Sequence, residues 1–331
     1  MDLRAPLPPE YCDHDDKLQH SLLESSIQYL LCRLHLASQM MELGSESRFA
    51  SIIIFRRYCC RFNKVLHQSW QKQQIDQKNK NSTHDLIPTN QELRQIKRHL
   101  GCIAAACLFL GCKAEEEPRR IRDVINLSSI LDFEDIGSDG SAPSKDANGD
   151  LIDTSLEQSA TIKPLVITES QHPPPLDDKY WSDKENMVSI EQQLLRMLQF
   201  DTLVSNPYRC VLVIMETLNF GQGTTDHNDR NNNSLLSPRA SEALIFKAWT
   251  LLNEISIDAI NGAIILRVPV VTLACAVISV AADAAANRNN GVKNVLPDEW
   301  WRALDVSTNE LSSTVENINN LIHKRGDTPI S

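Results

Sequence analysis

The chain has 331 residues, 42% of them hydrophobic, enough to bury a sizeable core in one large domain or two smaller ones. Only 11 glycines, a high load of Leu, Ala and Ile and no Gly-rich phosphate loop favour an all-α fold over an α/β one. Of the formal charge of −10, −9 falls between Asp132 and Asp178, where eleven acids face only Lys145 and Lys163, so the remainder is nearly neutral and lacks the basic footprint of a duplex-binding protein.

Nine cysteines, an odd number that includes the adjacent Cys59-Cys60, and no charged-then-apolar leader at Met1 describe an intracellular, reduced chain. The longest apolar window, Ala263 to Ala286, is broken by Arg267, Pro269 and Asp283. Its uninterrupted part, about 15 residues against the roughly 20 that span a bilayer, reads as a core helix.

Along the chain, Leu22, Leu23, Ile27, Leu30, Leu31 and Leu34 recur at helical spacing. After a break near Gly44 a second run passes through Ile52, Ile53, Phe55 and Tyr58, so residues 18–62 read as two helices. Residues 71–90 turn to Gln, Lys and Asn, a composition too polar to offset the entropy of ordering, and are expected as a disordered insert. Leu93, Ile96, Leu100, Ile103, Cys107 and Leu110 then alternate at steps of three and four, predicting a helix from Asn90 to Cys112. Its second half is apolar all round, as in the central helix of a bundle, and Ala104, Ala105 and Ala106 allow close neighbours.

Pro118 suits the first turn of a helix from Arg119 to Leu131. The acidic stretch 132–178 reads as a second disordered insert, and a fifth helix is predicted from Ser182 to Phe200. Beyond Pro207 the pattern recurs: Tyr208 to Leu218, Pro238 to Ile257, Pro269 to Ala286, Trp300 to Leu304 and Ser307 to Lys324. The run Leu273 to Ala282 echoes Cys102 to Cys112, so two five-helix units in tandem are the economical reading.

Lys113 closes the central apolar helix, where the macrodipole alone favours a cation by about 0.3 to 1 kcal/mol. Glu191 lies in line with Leu195 and Leu198 on an apolar stripe, where a carboxylate needs either a cation, with Lys113 the obvious candidate, or a route to solvent. Glu115, Glu116 and Glu117 read mainly as a solvated helix start. No nucleophile, base and oxyanion site accompanies them, so no enzyme is expected. Cys102, Cys107 and Cys112 recur every five residues, which spreads them around the helix, and the histidines lack zinc-like spacing. Neither a metal nor a cofactor is expected. Trp300-Trp301 could stack on a ligand but more commonly packs at a helix start.

At these residues the chain resembles the cyclins. Gly111-Cys-Lys113-Ala114-Glu115-Glu116, followed by Pro118-Arg-Arg-Ile-Arg-Asp123-Val-Ile-Asn126, is similar to the family's lysine-x-glutamate-glutamate motif and the next helix. Ile190-Glu191 through Phe200-Asp201 resembles the fifth cyclin-box helix, Arg57-Tyr58 a feature of the second, and Asn206-Pro207-Tyr208 the opening of the second box. With Pro297-Asp-Glu-Trp300-Trp301, the motifs look most like the cyclin-Q (cyclin M) type, with the L and K types next; no Arg/Ser-rich tail follows.

The resemblance implies an N-terminal tail at 1–17, a first cyclin box at 18–203, a second at 204–325 and a C-terminal tail at 326–331. It implies a non-catalytic regulatory subunit that binds a cyclin-dependent kinase, of the cyclin-dependent kinase 10 or another transcriptional type, and holds its mobile helix in the active position. The contact would centre on Lys113 and Glu191 beside Phe109, Ala114, Glu115, Glu116 and Phe200. A nuclear and also cytoplasmic location would follow, without membrane or direct nucleic-acid binding. Arg56 stands where cell-cycle cyclins carry an aspartate and no methionine-arginine-alanine-isoleucine-leucine helix is present, which argues against substrate docking through that patch. Ser237-Pro238 and Thr328-Pro329 fit proline-directed phosphorylation, and Arg4-Ala-Pro-Leu7 has the spacing of a destruction signal. The rival readings are a TFIIB-like factor core that binds DNA or polymerase and a helical scaffold without a kinase.

Overall fold

The computed structural model describes residues 17–78, 90–131, 176–220, 238–258, 261–288 and 296–326, and among these every regular element is helical. The order is α1 (Lys17–Met40), α2 (Ser45–Lys78), α3 (Asn90–Ala114), α4 (Ile121–Ile130), α5 (Asp178–Met197), α6 (Pro207–Phe220), α7 (Pro238–Ile257), α8 (Ile264–Arg267), α9 (Val270–Arg288) and α10 (Thr308–Gly326). No helix among the described residues is long and apolar enough to cross a membrane.

Two apolar cores form. The first gathers Leu30, Leu31 and Leu34 of α1, Ile52, Ile54 and Phe55 of α2, the body of α3, Val124 and Leu127 of α4, and Ile190 and Leu194 of α5. The second gathers Val211 and Met215 of α6, Leu251 and Leu252 of α7, the body of α9, and Ile318 and Leu321 of α10. The two runs that are apolar all round, in α3 and α9, are the central helices, each ringed by the others of its bundle. α2 serves both cores. Phe49 and Ile53, one turn apart, belong to the second cluster, while Ile52 and Phe55 face the first.

The bundles are also joined through a helix end. The last carbonyls of α7 have no partner within the helix, and the first bundle supplies donors: Arg56 Nε and Nη2 donate to Ser256 O at 3.1 and 2.7 Å, and Nη2 also donates to Asp258 O at 2.5 Å. Gln28 Nε2 of α1 donates to Ile257 O at 2.7 Å. Arg56 is therefore buried inside the molecule and offers no docking surface.

Helix ends follow local chemistry. Asn206 Oδ1 accepts from Tyr208 N and Arg209 N at 2.8 and 3.3 Å, and Pro207 sits first in α6. α1, α3 and α5 end alike: Leu43 N donates to Ser38 O, Glu117 N to Cys112 O and Phe200 N to Leu195 O. Glu42, Glu116 and Gln199 take positive φ in these three turns, a position that glycine fills more easily.

Several boundaries differ from the sequence expectation. α2 runs on to Lys78, so the first eight residues of the expected insert 71–90 are helical: Gln and Lys are good helix formers, and extending an existing helix needs no new nucleus. Residues 79–89 and 132–175 of the two inserts lie outside the described residues. α5 starts at Asp178 rather than Ser182, because Asp177 Oδ1 accepts from Tyr180 N at 3.0 Å, and it ends at Met197. α4 starts at Ile121 because Arg120 is extended while Arg119 is tied to Glu117. Trp300–Leu304 is a 3₁₀ turn with Glu299 and Asp305 at positive φ on either side, and the short α8 stands before α9.

α2 and α3 approach closely at Gly111. A Cβ there would lie 2.7 Å from Ser51 N and 2.9 Å from its Cα, so α2 and α3 touch backbone to backbone. Gly111→Ala must push the two helices apart, and we expect it to destabilise the fold by about 1–3 kcal/mol, as overpacking does. Urea unfolding checks this; an unchanged midpoint would mean that the helices part at no cost.

Candidate functional site: the end of α3 against α5

α3 carries Lys113 in its last turn and packs against α5, which carries Glu191. The ammonium donates to Glu191 Oε1 at 2.7 Å, with side chains 45% and 11% exposed respectively. Lys113 Nζ also stands 4.2 Å from the centroid of the Phe109 ring, one turn earlier on α3. A carboxylate on an apolar stripe thus finds its cation, and the cation keeps half its surface on the outside. An ion pair so exposed on one side adds about 0 to 1 kcal/mol to the fold. Its placement is more informative than its contribution to stability.

The chain beyond the two helix ends carries the other candidate residues. The turn that ends α5 puts Phe200 at positive φ with 69% of its surface exposed, and Leu203 beyond it is 71% exposed. Between them Asp201 meets Arg57 of α2 at 3.4 Å, and Arg57 also donates to Asp201 O at 3.1 Å. Arg61 of α2 donates to Met197 O. α2 thereby fixes the turn that presents Phe200.

At the end of α3, Ala114 and Glu115 are half-buried and Glu116 is exposed. Burial, with Glu46 facing it, pushes the Glu115 carboxyl above its ordinary range. Glu117 is not a solvated helix start: its Oε2 accepts from Gly44 N and its Oε1 from Arg119 Nη2, each at 2.9 Å, clamping the α1–α2 turn to the end of α3. A cleft of about 630 Å³ opens beside the site, with Glu46, Phe49, Ile53, Glu115, Leu203 and Ile265 in its walls.

Lys113, Glu191 and Phe109 therefore form one cluster, with Ala114, Glu115 and Glu116 next to it along α3 and Phe200 at the end of α5. Ser237, Thr328 and residues 4–7 lie outside the described residues. Leu203 and Glu46 were not singled out in the sequence. Leu203 sits in an irregular linker where no periodicity marks it, and Glu46 looks like any acid in a first helical turn. Among the described residues no group of three or more His, Cys, Asp or Glu could hold a metal ion. The buried thiols of Cys59 and Cys107 are pushed well up by desolvation, that of Cys59 to about 12, which makes them packing groups. The Trp300 and Trp301 rings pack edge to face, with centroids 6.2 Å apart and Trp300 buried.

No protein-family model matches the chain. Over 218 residues it is 25% identical to the cyclin L homolog cyl-1 of Caenorhabditis elegans, covering 66% of this chain and 37% of that protein. Over 189 residues it is 26% identical to cyclin-L1 of Homo sapiens, covering 57% of this chain and 26% of that one. An uncharacterized cyclin-L1-like protein of Schizosaccharomyces pombe is 23% identical over 319 residues, which are 92% of this chain and 91% of that protein. The chain is similar to the cyclins, the name that all three of these relatives carry. Its two helical bundles follow one another along the chain, and the match spans well under half the length of the worm and human relatives. The relatives named are of the L type, whereas the motifs by themselves looked most like cyclin-Q.

Proposed function

We propose that this cyclin is a non-catalytic regulatory subunit that binds a cyclin-dependent kinase of the transcription-related group and activates it. The observation that carries this reading is the Lys113–Glu191 pair, 2.7 Å apart on the outside of the first bundle, with the exposed Phe200 and Leu203 in the chain that follows α5. Two charges on packed helices beside exposed hydrocarbon form a rigid template. A partner segment that meets it in only one of its conformations is shifted toward that conformation by the difference in contact. Ala114, Glu115 and Glu116 extend the contact from the end of α3, and the similarity to cyclins of the L type supports the reading as a regulatory subunit.

The reading takes residues 18–203 and 204–325 as the two boxes and places the protein in the nucleus and also the cytoplasm. Ser237 and Thr328 are its proposed phosphorylation sites, each followed by proline. The test is affinity purification of the full chain with identification of the retained kinase by mass spectrometry, then assay of that kinase with and without the cyclin. A retained kinase that depends on the cyclin for activity is the expected result. A chain that retains none, or one equally active alone, would refute the proposal.

A further inference from the structure

Lys113 is held from two sides. Glu191 Oε1 takes one of its three N–H donors at 2.7 Å, and the Phe109 ring lies beneath the ammonium with its centroid 4.2 Å away. A lysine stem is long and rotamer-rich, and one hydrogen bond leaves the charge free to swing about the carboxylate oxygen. An aromatic face four residues earlier on the same helix supplies the second constraint, since the ring quadrupole attracts a cation placed over it. Phe109 is itself only 8% exposed, so it has little surface left to offer a partner, while Lys113 keeps nearly half of its side chain open. The ring is rigid because Phe109 belongs to the first core, packed with the rest of α3.

We propose that Phe109 is a positioning residue for the regulatory contact: its π-face fixes the Lys113 ammonium against Glu191, so that the two remaining N–H donors point to the acceptors of the kinase before it arrives. This rests on the regulatory-subunit reading above. Preorganisation of this kind reduces the ordering that binding would otherwise require, and its loss appears as weaker affinity without a new clash. A mere packing role for the ring would instead lower the stability of the cyclin and leave the lysine's contribution to binding as it was.

The test uses the 331-residue chain and, as probe, the tightest binder from a panel of recombinant cyclin-dependent kinases that includes cyclin-dependent kinase 10. Four variants are compared: Phe109→Leu, Phe109→Tyr, Lys113→Met and the double variant Phe109→Leu/Lys113→Met. Phe109→Leu is expected to weaken binding about 3- to 10-fold, the range of a partly exposed cation–π contact. In the Lys113→Met background the same change should cost less than about 2-fold, and Phe109→Tyr, which keeps the face, should bind within about 2-fold of the wild type.

A spectroscopic readout needs no kinase. With lysine isotopically labelled, the Lys113 Hε signals should be shifted upfield by the ring current in the wild type and Phe109→Tyr but not in Phe109→Leu. If Phe109→Leu fails to fold, ring-trifluorinated phenylalanine at the same position keeps the shape and weakens the quadrupole, and the same weakening of binding is expected.

The inference is overturned if Lys113→Met weakens binding while neither Phe109→Leu nor the fluorinated ring does. It is equally overturned if Phe109→Leu costs as much with methionine at 113 as with lysine. Should Lys113→Met bind as tightly as the wild type, or no kinase in the panel bind at all, the regulatory reading fails and the positioning role falls with it.

Discussion

Lys113→Ala and Glu191→Ala are each expected to abolish activation of the kinase proposed as partner while the chain still folds. A pair that becomes fully desolvated at the centre of an interface typically loses about 2–5 kcal/mol when one partner is truncated, a fall in affinity of roughly 30- to several-thousand-fold. The two substitutions should differ in their effect on the free protein. Lys113→Ala strands a carboxylate whose side chain is only 11% exposed, whereas Glu191→Ala leaves an ammonium that is already 45% exposed and can turn to water. The first should therefore lower stability by about 1–3 kcal/mol and the second by under about 1 kcal/mol. Kinase pull-down, an activity assay and urea unfolding of each variant separate the effects. Binding and activation equal to the wild type in both variants would show that the cluster at the end of α3 is not the contact.

Arg56→Ala should be among the most damaging single changes in the molecule, although it touches no kinase surface. It removes three hydrogen bonds from a buried guanidinium, two to Ser256 O in the last turn of α7 and one to Asp258 O just beyond it. Burial pushes the Arg56 guanidinium down to about 10, so it is still protonated at neutral pH and its charge faces the negative end of the helix dipole. Ser256 O loses these donors, at about 1–3 kcal/mol for a buried carbonyl, while Asp258 O keeps its bond from Gly262 N, so with the packing that is also lost a total of about 2–4 kcal/mol is expected. Arg56→Lys should recover only part, since one ammonium cannot reproduce the fork.

Gly262 reports on the same contact. A Cβ at this position would lie 2.2 Å from Arg56 Nη2 and 2.5 Å from Ile255 O, so Gly262→Ala drives the guanidinium out of place. Because both changes act on one contact, Arg56→Ala/Gly262→Ala should lose less than the sum of the single losses. Urea unfolding of the three variants measures this. A strictly additive double variant, or an Arg56→Ala protein within about 1 kcal/mol of the wild type, would show that the two bundles are held together elsewhere.

Much of the candidate site could be read before any fold was known, for a definite reason. Lys113 ends a helix that is apolar all round and Glu191 sits on an apolar stripe, and a charge in either place is conspicuous because burial without a partner is costly. Their meeting at 2.7 Å satisfies that local demand. Glu117 was read as solvated because nothing in its neighbourhood along the chain shows that Gly44 N lies 2.9 Å away. The role of Arg56 is equally hidden from the sequence, because its partners are 200 and 202 residues distant.

The amino-acid order by itself determined the all-helical class, the duplicated bundle and the core faces, since each of these is a periodicity of the side chains along one helix. It also marked Lys113 and Glu191, whose character depends on the stripe they occupy, whereas Phe109 entered only through the resemblance to the cyclins. The tertiary structure alone decided which ends those helices share. The exposure of Phe200 and Leu203, the clamp at Glu117 and the union of the bundles through Arg56 all follow from that. Such contacts join residues remote in sequence through donors and acceptors that every helix end carries. Only packing in three dimensions selects among them.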